Sequence, residues 1–67
     1  MRADPEVSTT LTSRNNLAGA YRAAGLVGEA VLLYERTLTD AERILGEEHP
    51  TTDVVRANLA AVRERKR

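Results

Sequence analysis

Apolar residues recur three and four apart in three successive segments of this chain, the spacing of one helix face, with glycine and proline between the segments. The cleanest stripe is Val27, Ala30, Tyr34, Leu38, Ala41 and Leu45, and Val31, Leu33 and Ile44 widen it. A stripe that broad predicts a helix over about 27–45 buried on two sides. Ahead of it, Val7, Leu11, Leu17, Ala18, Tyr21 and Ala24 fall on one face of a helix over about 5–24. Pro5 suits a first helical turn, Asp4 can cap that turn with its carboxylate, and Gly25 offers the left-handed geometry that ends helices. After Gly46 and the polar Glu47-Glu48-His49 connection, Pro50 opens a third helix that runs to about residue 66. Strand signals are nearly absent. The expected fold class is all-α, an antiparallel helix-turn-helix arrangement of three helices forming one domain over residues 1–67.

The third helix repeats the first at an offset of 42 residues. Thr9, Thr10, Arg14, Asn16, Leu17 and Ala18 meet Thr51, Thr52, Arg56, Asn58, Leu59 and Ala60, six identities in ten positions. The chain thus contains an internal repeat that stops after its first helix. Four apolar positions of the first helix, Val7, Leu11, Tyr21 and Ala24, become His49, Asp53, Arg63 and Lys66 in the third. The third helix is therefore expected to act as a solvating cap. Its other flank, Val55, Leu59 and Val62, is expected to pack back on the first two helices. Leu17, with small Ser13 and Ala20, would face a preceding repeat, and Leu17 and Tyr34 are expected to be essential to the helix contacts.

Leu17-Ala18-x-x-Tyr21, then Gly25, then Ala30-x-x-x-Tyr34 resembles the tetratricopeptide repeat signature. The 42-residue period, the run Thr12-Ser13-Arg14-Asn15-Asn16-Leu17-Ala18 and the Leu45-Gly46-x-x-His49-Pro50 junction are similar to the longer-helix variant of kinesin light chains and many bacterial proteins. Arg14 stands where the signature prefers tryptophan. The resemblance spans about residues 8–62 and implies one and a half repeats, a fragment of a right-handed superhelix. It further implies a module that binds a peptide or partner protein through a concave groove. The matching face carries Thr12, Asn15, Asn16, Gly19, Arg22 and Ala23 on the first helix and Asn58 on the third. Asn16 and Asn58 match a groove asparagine whose amide can both donate to and accept from a ligand backbone.

Composition narrows the remaining classes. With 67 residues the core is thin, and the absence of cysteine removes disulfide and thiolate-zinc staples. Formal net charge is zero, yet residues 26–49 hold six acidic and two basic groups and residues 50–67 hold two acidic and five basic. That polarity suits pairing of two chains, and the expected partners include a second copy in a homodimer. A self-assembling structural unit without a dedicated peptide ligand is the other reading of the chain. The basic Arg63–Arg67 end lacks the stacking aromatics of a nucleic-acid surface and complements a helix dipole instead. His49 is the sole histidine, and no cofactor, metal or catalytic constellation is expected. No apolar run approaches the ~18 residues of a membrane span and no signal sequence is visible, so a cytoplasmic protein is expected. The preference for arginine over lysine, with abundant alanine, suits a GC-rich bacterial genome.

Overall fold

The computed structural model describes residues 5–65, with side chains from 9 to 64. It contains three α-helices, α1 (Pro5–Ala23), α2 (Val27–Leu45) and α3 (Pro50–Arg65), and no strand among the described residues. The boundaries agree with the apolar periodicity to within a residue. Asp4, the expected cap, and Lys66 lie outside the described residues.

Both turns owe their shape to glycine. At the end of α1, the Leu26 amide donates to the Tyr21 carbonyl (2.8 Å) and the Gly25 amide to the Arg22 carbonyl (3.0 Å). This is a Schellman motif, and it requires the positive φ of 87° that Gly25 adopts. Gly46 ends α2 at φ 99° and ψ 156°, a region essentially closed to side-chain-bearing residues. His49 then starts α3: its Nδ1 accepts the Thr51 amide (3.0 Å), and its carbonyl accepts the Asp53 amide (3.0 Å). The lone histidine is therefore a helix cap.

The three helices run up, down and up. α1 and α3 each pack mainly on α2 and meet each other sparsely. The core is small: Leu11, Ala18, Ala30, Tyr34, Ala41, Val55, Leu59 and Val62, joined by the buried Thr37 and Thr52. Three fully buried alanines let the helices approach closely, and Tyr34 fills the space between them. The Thr37 and Thr52 hydroxyls have no hydrogen-bond partner among the described residues, so each carries a desolvation cost of about 1–3 kcal/mol.

The two halves of the internal repeat occupy opposite environments. On α1, Leu11 and Ala18 are buried; their counterparts Asp53 and Ala60 on α3 are exposed. On α3, Thr52, Val55, Leu59 and Val62 are buried; their counterparts Thr10, Ser13, Leu17 and Ala20 are exposed. α1 meets α2 through one flank, and α3 meets α2 through the other. As expected, Val55, Leu59 and Val62 pack into the core, and Asp53 and Arg63 face outward.

Two expectations are corrected. Leu17 does not belong to the α1 face that meets α2. It sits about 100° round the helix from Ala18 and is 47% exposed. Ile44 does not extend the buried stripe of α2, being 45% exposed, whereas Val31 and Leu33 are half-buried.

The arginines of the repeat reach α2 from its two sides. Arg14 pairs with Asp40 (2.8 Å), which also receives Arg43 (3.1 Å). Arg56 pairs with Asp53 (2.9 Å) and Glu42 (3.3 Å) and donates to the Glu47 carbonyl (3.2 Å). The position where the signature prefers tryptophan thus carries an ion pair. These pairs are partly exposed, and each contributes at most about 1 kcal/mol.

Leucines in equivalent repeat positions should respond oppositely to charge. Leu59→Asp buries an unpaired carboxylate and should abolish the cooperative melt followed by circular dichroism. Leu17→Asp should change stability by less than about 1 kcal/mol. Loss of the fold in Leu17→Asp would contradict the packing described above.

Candidate groove on the outer face of α1 and α3

The residues singled out for binding fall on one face of α1 and continue onto α3. Thr12, Asn16, Gly19 and Ala23 lie three and four apart along α1; Val54, Asn58 and Ala61 are the positions 42 residues on. Thr12, Asn16 and Ala23 are exposed, Gly19 is half-buried, Val54 is 51% exposed, and Asn58 and Ala61 are half-buried. The face is shallow and mildly apolar, with amides set into it.

Asn15 and Asn58 form a pair. Asn58 Nδ2 donates to Asn15 Oδ1 (3.1 Å) in a half-buried site, a side-chain hydrogen bond between α1 and α3. It ties together two helices that otherwise touch little, and it commits the Asn15 oxygen and one Asn58 proton to the scaffold. Asn16 is exposed and makes no hydrogen bond to another described residue, so its amide is available. The repeat thus gives its two equivalent asparagines, Asn16 and Asn58, different surroundings.

Towards the C-terminal end of α1 the face deepens into a cleft of ≈ 520 Å³ lined by Gly19, Arg22, Ala23, Val27 and Val62. Three of these residues, Gly19, Arg22 and Ala23, were expected on the groove face. Val27 and Val62 were legible only as core positions. Val62 is 1% exposed and yet forms a wall of the cleft. Both valines sit at edges of their helical stripes, a position that serves core and cleft together. A second cleft, ≈ 470 Å³, lies on the opposite side of α3, between Leu38, Arg56, Leu59, Ala60, Arg63 and Glu64.

No group of three or more His, Cys, Asp or Glu side chains that could hold a metal ion occurs among the described residues. No described helix is long and apolar enough to cross a membrane.

Comparison with known proteins places the architecture. A family model described as tetratricopeptide repeat matches residues 10–51, well over half of the chain, and that span equals one period of the internal repeat. No curated protein and no solved structure matches the chain.

The asparagine pair supports stability, whereas the neighbouring free asparagine does not. A double-mutant cycle of Asn15→Ala and Asn58→Ala, measured by thermal unfolding, should give a coupling of about 0.5–1.5 kcal/mol. Asn16→Ala should leave the melting temperature unchanged. Unfolding by Asn16→Ala would show that its face is packed and not a groove.

Proposed function

The chain belongs to the tetratricopeptide repeat family, and on that premise we propose that it is a non-catalytic protein–protein interaction module that holds an extended peptide or a segment of a partner protein along the α1–α3 groove. The observation that carries this reading is the set of polar side chains on that face without partners among the described residues, chiefly Asn16 and Arg22. The amide of Asn16 can donate to and accept from one peptide unit, a pairing that reads backbone and not sequence. Thr12, Gly19 and Ala23 keep the rest of the face low, so a peptide can approach closely. Two groove helices give a short footprint and hence a weak, transient contact. Asn15 has a different part, holding Asn58 and with it the relative placement of the two helices.

Titration of the isotope-labelled chain with extended peptides tests the reading. Amide shifts should concentrate at Thr12, Asn16, Gly19, Ala23, Val54, Asn58 and Ala61. Asn16→Ala should weaken binding about fivefold, the worth of one hydrogen bond, with no change in melting temperature. Shifts confined to the outer side of α2 would reject the groove.

A second reading, assembly into a homodimer, is favoured by one observation. Leu17 is 47% exposed where its repeat counterpart Leu59 is 6% exposed, with Ser13 and Ala20 exposed beside it. An exposed apolar strip of this kind on a thin domain is better covered than solvated. The melting temperature should then rise with protein concentration in the native chain and become independent of it in Leu17→Asp. A melting temperature independent of dilution in the native chain would reject the dimer.

A further inference from the structure

Two helix flanks of the domain are unused, and they differ in shape. Asn15 and Asn58 face each other across α1 and α3. Leu17 and Ala60 each stand two residues further on, about 200° round their helices, so both point away from that pair and from each other. At the α1 end Leu17 projects, 47% exposed, between the smaller exposed residues Ser13 and Ala20. At the α3 end lies a recess instead, the ≈ 470 Å³ cleft between α2 and α3. Half-buried Leu38, buried Leu59 and exposed Ala60 give it an apolar lining, beside Arg56 and Arg63.

The internal repeat indicates what each flank can receive. Ala60 is the counterpart of Ala18, which is fully buried where α1 packs on α2. The same flank of α3 carries no helix, and the small Ala60 leaves room where one would lie. Leu17 is the counterpart of Leu59, which is buried where α3 packs on α2. The same flank of α1 carries no helix either. Contact between the α1 strip of one copy and the α3 recess of another covers both flanks at once, whereas strip against strip leaves the recess open. Charge favours the same pairing. α2 carries four carboxylates and two arginines, and α3 carries three arginines and two carboxylates. Setting the α1–α2 end of one copy beside α3 of the next therefore brings an acidic helix towards a basic one.

We infer that copies of this chain associate head to tail, with Leu17 of one copy seated in the Leu38–Leu59–Ala60 recess of the next. The inference rests on the homodimer reading above for its premise that a second copy covers Leu17. Ser13 and Ala20 are small enough to let α1 approach the recess closely. Arg56 and Arg63 lay their aliphatic stems along the seated leucine and keep their charged ends in water. Because strip and recess point away from each other, a pair formed in this way retains one free strip and one free recess. The contact is heterologous, and further copies add to it.

Sedimentation equilibrium of the full chain, alone and as two variants, tests the contact. The native mass should rise with concentration past that of two chains. Leu17→Asp keeps its recess and Ala60→Glu keeps its strip. Each alone should lose association and stay at the mass of one chain, and an equimolar mixture should form a pair that grows no further. Both positions are exposed, so the melt of each variant at high dilution should match that of the native chain. The chain has no cysteine, which allows a second measurement without added charge. Mild oxidation of Leu17→Cys mixed with Ala60→Cys should join the two variants faster than either joins its own kind. Association of Ala60→Glu alone into a pair, or faster joining of Leu17→Cys to itself, would overturn the head-to-tail contact and leave the homodimer standing. A native mass that stops at two chains would do the same. A native chain that keeps the mass of one chain at every concentration would overturn both.

Discussion

Packing of α2 on two sides is the constraint from which the other features follow. Ala30, Tyr34, Thr37 and Ala41 are buried along its length, α1 covers one flank and α3 the other. Neither outer helix has enough contact with the other to form a core without it. Tyr34 lies at the centre, 2% exposed, among Ala18, Ala30, Val55, Leu59 and Val62. The small residues around it set how near the helices come, and its ring sets how far apart they stay. Even the partly exposed ion pairs follow this plan: Asp40 and Glu42, two residues apart on α2, point to opposite flanks and receive Arg14 and Arg56.

A repeat built on a shared central helix gives identical residues unequal roles. Leu17 and Leu59 have the same neighbours in sequence, yet one is half-exposed and the other lies in the core. Ala18 and Ala60 differ in the opposite sense, the first buried and the second exposed. Each outer helix has two flanks suited to contact, and the chain provides α2 for only one flank of each. The exposed flank of α1 keeps its leucine, whereas the exposed flank of α3 carries Asp53 and Arg63. The molecule is therefore asymmetric end to end, with an apolar flank at α1 and a charged one at α3.

The face proposed as a groove arises from the same arrangement. Because α1 and α3 both pack on α2, their remaining faces lie side by side and form one continuous surface. The Asn15–Asn58 bond fixes the alignment of that surface, and Arg22, Gly19 and the two valines give it a deeper end. A domain of this size has little core to spare for the proposed binding site. Val62 serves both purposes, buried on its core side and lining the cleft on the other.

The three helices were legible in the sequence because their periodicity is local: Val27, Ala30, Tyr34, Leu38, Ala41 and Leu45 can form one face in no other regular structure. Gly25 and Gly46 marked the turns because only glycine takes those backbone angles at little cost. The 42-residue identity likewise announced the repeat and, with it, the face on which Asn16 and Gly19 lie. The flank of α3 that packs inward, Val55, Leu59 and Val62, was legible as well; what the sequence alone left undecided was the place of Leu17, read both as part of the helix contacts and as facing a preceding repeat. Periodicity marks a helix as amphipathic, but a wide stripe of leucine, valine and alanine leaves its orientation open by about one residue, or 100°. Only packing resolved that choice: it turned Leu17 outward, joined Asn15 to Asn58, and brought Val27 and Val62 from distant helix ends to the cleft beside Arg22.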